Sequence, residues 1–286
     1  MNIQWYPGHM TKAKRMMAEN IALVDIIIEL LDARIPHSSK NPDIERLAKD
    51  KPRIVVLNKS DISDPVANDA WLAHFRADDL AAICVDSTSG KGLAQITEEA
   101  SRIMQPKRER QQARGRTFAP IRAMIAGIPN VGKSTLINKL VGKPAAKTAD
   151  RPGVTRSKQW VRIVKDFELL DTPGLLWPKF DDPMVGRRLA FTGAINDKIF
   201  DITELALMLI EILCQQAPMA IPTRYKIGVT EDDTSLAILE NIAEARGFRL
   251  KGAALDVDRA AITLIDEFRA ARLGKITLEF PEVKRC

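Results

Sequence analysis

Short apolar runs separated by amphipathic stretches dominate the first third of the chain. Three of the runs predict buried strands, at residues 26–32, 53–58 and 81–86. The stretches before, between and after them have helical spacing, at 11–20, 42–49, 69–76 and 92–104. Apolar strands that alternate with helices are typical of a parallel sheet with helices on both faces. The pattern therefore predicts an α/β fold.

The same alternation returns after residue 120 and then gives way to helices alone. Further strands are predicted at 121–126, 159–164 and 167–170, with a helix at 133–140 among them. Beyond Pro178 the apolar residues recur only at helical spacing, in the stretches 201–215, 234–245 and 259–272. We therefore expect an α/β domain over 1–178 and a smaller all-helical domain over 179–286.

A basic segment, residues 105–117, lies between the two sets of strands. It shows no apolar periodicity, so we expect it to be a linker. The whole chain carries 43 Lys and Arg against 37 Asp and Glu, which gives a net charge of +6. This mild basic excess permits a nucleic-acid partner without requiring one.

Composition and cysteine spacing indicate a globular protein of a reducing compartment. Apolar residues make up 45% of the chain and charged residues 28%, as in a folded domain. Cys84, Cys214 and Cys286 lack the spacing of a disulfide framework or a zinc site. The N-terminus has no signal-peptide pattern, and Asp25 and Glu29 interrupt the apolar run at 21–31. We therefore expect a cytoplasmic protein with no membrane segment.

The strongest chemical signal is a G-x-x-x-x-G-K-S sequence at residues 127–134, between a predicted strand and a predicted helix. In a phosphate loop of this kind, backbone amides at the start of the helix surround the β-phosphate. Lys133 is expected to contact the β- and γ-phosphates, and the Ser134 hydroxyl to bind Mg²⁺. The residues expected to touch the nucleotide here are Asn130, Val131, Gly132, Lys133, Ser134 and Thr135.

A second motif, Asp171-Thr172-Pro173-Gly174, ends a predicted strand after the phosphate loop. An aspartate in this place holds Mg²⁺ through a water, and the Gly174 N–H can contact the γ-phosphate. The Gly- and Pro-rich stretch between the two motifs contains Thr155, a candidate for a switch threonine that binds Mg²⁺ and supports catalysis. Thr148 stays open as the competing choice, and so does a plain surface-loop role for Thr155.

A guanine-reading N-K-x-D motif, Asn58-Lys59-Ser60-Asp61, follows the second strand. The Asp61 carboxylate can accept bonds from guanine N1–H and the exocyclic amine, a pair that adenine does not offer. Lys59 would lie along the base, and Asn58 would tie this loop to the phosphate loop. Asp86 and Ser87 begin the loop after the third strand, where the Ser87 N–H is the candidate donor to guanine O6.

The order of these motifs is inverted, because N-K-x-D precedes the phosphate loop. In this order the chain resembles the circularly permuted P-loop GTPases. Trp5-Tyr6-Pro7-Gly8-His9-Met10 and Asp32-Ala33-Arg34-Ile35-Pro36 resemble the ribosome biogenesis GTPase A group, also called YlqF. The resemblance implies a permuted G domain, Mg²⁺-dependent GTP hydrolysis, and release from an immature large (50S) ribosomal subunit on hydrolysis. It also implies that the helical domain contacts ribosomal RNA.

One position departs from ordinary GTPases. Leu175 follows D-T-P-G where many GTPases have a water-orienting glutamine, and an apolar side chain cannot orient water. The resemblance implies that His9 takes this catalytic role, although a lone histidine is more often structural. It also implies that Asn130 helps to hold a K⁺ ion, with a plain turn asparagine as the alternative.

Partners and rival functions follow from the same resemblance. The expected partner is a large-subunit precursor, with its RNA and proteins, and no DNA partner is expected. Lys12, Lys14, Arg15 and Arg34 are candidate RNA contacts, with solvated basic faces as the open alternative. The 105–117 segment and Lys284-Arg285 are candidate phosphate contacts. A nucleotide-gated RNA-binding switch stays open, as does a permuted GTPase of the small subunit, although this chain lacks the barrel domain and zinc cysteines of that group. An ATPase would require the motif at 58–61 to be accidental.

Overall fold

A central sheet of six strands organises the computed structural model, which describes residues 10–48, 51–115, 119–142, 159–172, 176, 180 and 182–282. The strands are β1 (Ile26–Asp32), β2 (Arg53–Asn58), β3 (Ala81–Cys84), β4 (Ile121–Gly127), β5 (Gln159–Val164) and β6 (Phe167–Asp171). Their order in the sheet is β3-β2-β1-β4-β6-β5. The apolar runs of the sequence therefore predict all six strands, with bounds that differ by at most two residues.

The sheet is mostly parallel, with one exception at its edge. β1 pairs in parallel with β2 and β4, β2 with β3, and β4 with β6, whereas β5 is antiparallel to β6. A two-residue turn at 165–166 joins β5 to β6, and a connection this short permits only antiparallel pairing. β1 and β4 meet at the centre, so the two halves of the chain contribute opposite halves of one sheet.

Helices cover both faces of this sheet. The helices that precede residue 142 are α1 (Met10–Ile21), α2 (Pro36–Ser39), α3 (Pro42–Leu47), α4 (Pro65–Ala77), α5 (Leu93–Ala113) and α6 (Lys133–Val141). α1, α3 and α6 lie within two residues of the predicted bounds, whereas α4 begins four residues earlier than predicted, α5 ends nine residues later and α2 was not predicted. Ile26, Ile28 and Leu30 of β1 pack on the side of α5 and α6, whereas Ile27 packs on the side of α1 and α3. Every residue of β1 is buried, as expected for the middle strand of a doubly covered parallel sheet.

The predicted linker at 105–117 is mostly helical, which corrects the expectation of an irregular segment. α5 was expected to end at residue 104 but continues to Ala113. Ion pairs from Lys107 to Asp25 (2.6 Å) and from Arg108 to Asp166 (3.7 Å) attach the extension to the sheet. Apolar periodicity did not predict this part of the helix, because this part contacts the sheet through ion pairs and not through a buried apolar face.

After β6 the regular structure of the described residues is α-helical, apart from a 3-10 helix at Asp197–Ile199 and an isolated β-bridge between Arg249 and Leu255. The α-helices are α7 (Pro183–Phe191), α8 (Ile202–Gln216), α9 (Ala220–Tyr225), α10 (Ser235–Ala245) and α11 (Val257–Arg269). The side chains of Asp182, Asp201, Thr234 and Asp256 cap four of them by accepting bonds from first-turn N–H groups. No described helix is long and apolar enough to cross a membrane.

One cluster of buried residues connects these helices with the sheet. It runs from Ile28 and Leu136 to Leu189, Leu209 and Leu264. The predicted domain boundary after residue 178 lies outside the described residues and stays a prediction. The helices nevertheless share their apolar packing with the α/β part.

After α11 the chain returns to the α/β part as a segment without regular secondary structure, residues 276–280, which we call the C-terminal strap. Leu278 is fully buried and donates its N–H to the Arg34 carbonyl at 2.8 Å. Thr277 Oγ1 accepts from the Asp64 N–H at 3.0 Å, and Trp71 Nε1 donates to the Glu279 carbonyl at 2.9 Å. The strap therefore binds the segments that follow β1 and β2, a contact that helical periodicity did not predict.

Candidate nucleotide-binding site

The predicted nucleotide motifs meet at the carboxyl edge of the sheet. In the strand register, Asp32 at the end of β1 is opposite Asn58 at the end of β2, and Leu30 is opposite Gly127 at the end of β4. In open α/β sheets ligands bind at this edge, where the strand connections diverge. Motifs that are distant in sequence therefore occupy one site.

The loop from β4 to α6 has the close packing that its glycines predict. A Cβ on Gly127 would lie 2.5 Å from the Leu30 carbonyl oxygen, and one on Gly132 would lie 2.3 Å from Asn58 Nδ2. Gly132 also has φ 102°, a conformation that side chains disfavour. α6 begins at Lys133 without a side-chain cap, so its first turn has the form of an anion site.

Lys133 is buried beneath this loop. Its Nζ donates to the carbonyls of Gly127 at 3.1 Å and Ile128 at 2.7 Å. Ser134 and Thr135 follow in the first turn of α6, where Ser134 is half-buried and Thr135 exposed. The lysine charge and the serine hydroxyl are therefore next to the amides that would surround a phosphate.

Asn58 joins the guanine loop to the phosphate loop. Its Nδ2 donates to the Val131 carbonyl at 2.7 Å, so the expected tie between the loops is present. Its Oδ1 accepts from Ser87 through both the backbone N–H (3.2 Å) and Oγ (2.7 Å). The Ser87 N–H, expected to meet guanine O6, is thus engaged with Asn58. One amide holds three loops together.

Lys59 and Asp61 have contrasting surroundings. Lys59 has φ 63°, in the left-handed region, and its Nζ bonds Asp32 Oδ2 at 3.0 Å. Burial lowers the pKa of Lys59, while the Asp32 carboxylate opposes that shift. Ser60 donates its N–H to the Val85 carbonyl, and Asp61 is exposed at the open side of the loop. A carboxylate in that position is accessible to a base.

Asp86 shapes the loop after β3. Its Oδ1 accepts from the N–H groups of Thr88 at 2.7 Å and Ser89 at 3.2 Å. Burial acts to raise the pKa of Asp86, but these hydrogen bonds lower it overall. The charged carboxylate is therefore held within its own loop, and its contact with a nucleotide stays a prediction.

Arg34 was expected to be a candidate RNA contact, and this was wrong. It is 2% exposed, and its Nε and Nη2 bond the two oxygens of Asp32 at 2.9 and 2.7 Å. Burial acts to raise the pKa of Asp32, but Arg34 and Lys59 hold it well below its usual range. The sequence did not show this, because the partners that enclose Arg34 come from α11 and the strap.

The phosphate loop also contacts the helical part directly. Asn130 has φ 56°, and its Nδ2 donates to the Gly193 carbonyl, just beyond α7, at 2.7 Å. The role of Asn130 toward K⁺ stays a prediction. The contact nevertheless places the end of α7 against the loop that would hold the phosphates.

Several predicted residues lie outside the described residues. They are His9, Thr155 and Gly174, together with the competing Thr148. Asp171 ends β6 as predicted, although its side chain is not described, and Thr172 Oγ1 donates to the Ile125 carbonyl at 2.6 Å.

The described part of the site fits a hydrated Mg²⁺ held largely by its substrate. The described residues contain no cluster of three or more His, Cys, Asp or Glu side chains that could hold a metal alone. Mg²⁺ prefers oxygen ligands, keeps several waters and commonly binds with substrate phosphates. Among the described side chains, the hydroxyl of Ser134, beside the helix start, is a suitable ligand for that arrangement.

Comparisons with known proteins match the chain at two levels. The family described as "50S ribosome-binding GTPase" matches residues 122–239, which begin in β4. A "Ribosome biogenesis GTPase A" of Bacillus pumilus is 45% identical over 99% of this chain and 100% of its own length. The protein of the same name from Thermotoga maritima is 28% identical over 98% of this chain and 95% of its own length.

Solved structures share the fold. GNP-bound YlqF from T. maritima is similar to 95% of this chain and 99% of its own, with a TM-score of 0.68 and 24% identity. A GDP-bound YlqF structure has a TM-score of 0.67. The fold of this chain is therefore that of the YlqF structures.

Proposed function

This chain belongs to the ribosome biogenesis GTPase A family, and from that premise we propose that it binds the immature large ribosomal subunit and leaves it on GTP hydrolysis. As a member of that family it is a GTPase that acts in ribosome assembly. The identity extends over nearly the whole length of both chains, including the helical part. That full-length match is the observation that carries the proposal, together with the 50S-binding description of the matched family. Because the proposed partner is a ribosomal particle, the proposed location is the cytoplasm.

We propose that the carboxyl edge of the sheet holds GTP. Asp61 would read the guanine, with Lys59 along the base and Asn58 and Ser87 fixing the loops, as their mutual hydrogen bonds support. The amides from Asn130 to Thr135 would surround the phosphates, with Gly174 at the γ-phosphate. Lys133 would exchange its loop carbonyls for phosphate oxygens and stabilise the charge that develops there.

The metal and the attacking water would be held by residues that lie within, before and after the phosphate loop in the sequence. Ser134, Thr155 and Asp171 would hold Mg²⁺, which supplies electrostatic stabilisation of the phosphate oxygens when bound. His9 is the proposed water-orienting residue, because Leu175 cannot perform that task. Asn130 is the proposed K⁺ ligand; in this structure its amide contacts Gly193 instead.

Co-sedimentation with ribosomal particles tests the proposal. Purified protein is pelleted with immature large subunits and, separately, with small subunits, in the presence of GDP or a non-hydrolysable GTP analogue. We expect strong pelleting with large-subunit particles and the analogue, and weak pelleting with GDP. Equal pelleting with both nucleotides, or a preference for small subunits, would contradict the proposal.

Turnover distinguishes hydrolysis-driven release from a switch that needs only nucleotide binding. The GTPase rate is measured with and without large subunits for the wild type and for His9→Ala. We expect the particle to stimulate the wild type and His9→Ala to lose most of that stimulation while it still pellets with the analogue. If hydrolysis were unstimulated and unaffected by the variant, turnover would have no part in release.

A further inference from the structure

A buried carboxylate connects the guanine loop to a residue outside the nucleotide motifs. Asp32 is 1% exposed at the end of β1, and its Oδ2 accepts from both Lys59 Nζ (3.0 Å) and Arg34 Nη2 (2.7 Å). Its Oδ1 accepts from the Arg34 side chain and backbone N–H. Lys59 therefore does not set its own position in this structure, because Asp32 holds its ammonium group.

Arg34 is in turn enclosed by the C-terminal part of the chain. Its Nη1 donates to the Arg269 carbonyl at 3.3 Å, and its guanidinium lies 5.8 Å from the centre of the Phe268 ring. Its own carbonyl accepts from Leu278 in the strap. Three separate contacts thus join one buried arginine to the end of α11 and to the strap.

We infer that Asp32 and Arg34 are positioning residues. They couple the binding of guanine by Lys59 to the packing of α11 and the C-terminal strap against the sheet. This inference rests on the proposed guanine-binding role of residues 58–61. A lysine already held in place loses less conformational freedom when a base binds, so docking raises guanine affinity. Linkage makes the effect reciprocal, and nucleotide binding therefore stabilises the docked strap by the same factor.

Affinity measurements test the first half of the coupling. Dissociation constants for GDP are measured for the wild type, Asp32→Asn, Asp61→Asn and the control Glu99→Gln, which breaks an exposed ion pair on α5. Asp32→Asn keeps the size of the side chain but removes its charge, so we expect GDP to bind roughly tenfold to a hundredfold more weakly. The control should be unchanged.

Comparison of the four proteins distinguishes failure of the proposed guanine site from failure of the positioning role of Asp32. Unchanged GDP affinity in Asp61→Asn would mean that the proposed guanine site is wrong. A large loss in Asp61→Asn together with wild-type affinity in Asp32→Asn would overturn only the positioning role of Asp32.

Hydrogen exchange tests the second half with a readout that a purely structural role would not change. Exchange of the peptide containing the Leu278 amide is compared without nucleotide and at saturating GDP. We expect GDP to slow exchange several-fold in the wild type and in Glu99→Gln, and to leave it unchanged in Asp32→Asn. A wild-type response in GDP-saturated Asp32→Asn would overturn the coupling.

A second variant keeps the test decisive if Asp32→Asn fails to fold, as judged by circular dichroism. Lys59→Met leaves the buried pair of Asp32 and Arg34 intact and removes only the link to the guanine loop. At saturating GDP its Leu278 peptide should no longer respond to nucleotide. A preserved response in this variant would equally contradict the inference.

Discussion

Two buried carboxylates, each paired with arginine, differ in how much water reaches their partners. Asp32 is bonded to Arg34, which is 2% exposed, at the junction of the sheet, α11 and the strap. Glu267 in α11 is bonded to Arg224 and Arg246, whose side chains are 31% and 33% exposed. Hydrogen bonds from Arg224 lower the pKa of Glu267 against the effect of its burial.

This difference in arginine exposure distinguishes a cluster that connects two parts of the molecule from a cluster that lies at its surface. Removal of the arginine from an enclosed pair leaves a buried carboxylate that water cannot reach and that has lost its strongest hydrogen bonds. Around Glu267 the arginines still reach solvent, so water can replace a lost bond at small cost. The enclosed cluster therefore holds the two parts of the molecule together, whereas the open one presents arginines at the surface of the helical part.

The largest effect is expected from Arg34→Met, which leaves the Asp32 carboxylate buried with Lys59 alone. We expect the free energy of unfolding to fall by about 3–5 kcal/mol, measured by urea denaturation. Arg272→Met is the matched control, because this arginine is 63% exposed and lies 3.9 Å from Glu267; its loss should be under about 0.5 kcal/mol. Similar losses in the two variants would remove the contrast between the clusters.

A third carboxylate, Glu29 in β1, sharpens the comparison because its pKa shifts the other way. Burial raises the pKa of Glu29 from 4.5 to about 7, and Arg53 only partly opposes that shift. A raised carboxyl pKa stabilises the fold below the unfolded value and loses that contribution as pH rises through the folded value. Between pH 4.5 and pH 8 the wild type should therefore lose up to about 3 kcal/mol relative to Glu29→Gln.

Denaturation of the two proteins across this pH range measures that prediction. The stability difference should develop between pH 4.5 and pH 8 and be complete above pH 8. A difference that stays constant with pH would show that Glu29 is ionised throughout, with Arg53 as a sufficient partner.

A smaller effect is expected from Glu267→Gln. The variant retains one acceptor for Arg224 and Arg246, and both guanidinium groups reach water. The free energy of unfolding should fall by about 1–2 kcal/mol, with denaturation again the measurement. A loss as large as that of Arg34→Met would mean that partial exposure does not protect this cluster.

The smallest effect is expected at the surface of α5. Glu99 and Arg102 form an ion pair at 2.6 Å in which the arginine side chain is 69% exposed. Glu99→Gln should change the free energy of unfolding by less than about 0.5 kcal/mol. A larger loss in thermal or urea unfolding would show that exposed charged pairs stabilise this chain more than their solvation predicts.

Local patterns predicted those parts of the fold that depend on short-range sequence. The six strands follow from buried apolar runs such as 26–32, and the phosphate loop follows from glycine spacing. Asn58 was expected to tie the guanine loop to the phosphate loop, and its amide bonds Val131. These features require only the residue type and its place at the end of a strand.

Features set by distant partners could not be predicted in this way. The burial of Arg34 depends on Arg269, Phe268 and Leu278, all more than two hundred positions away in the chain. The helical extension of α5 depends on charged contacts of Lys107 and Arg108 with the sheet. A strand-like alternation at 276–280 was the one local signal for the strap, and it is too short to be distinctive.

The most direct test of nucleotide control over the ribosomal partner exchanges the base that the site reads. Xanthine carries a carbonyl where guanine has its amine, so Asp61→Asn, whose amide offers both a donor and an acceptor, should bind xanthine nucleotides instead. Pelleting with immature large subunits is then compared for the wild type and Asp61→Asn with non-hydrolysable guanine and xanthine analogues. We expect the wild type to pellet only with the guanine analogue and the variant only with the xanthine analogue. If Asp61→Asn still pelleted in response to the guanine analogue, residues 58–61 would not be the nucleotide sensor that controls ribosome binding.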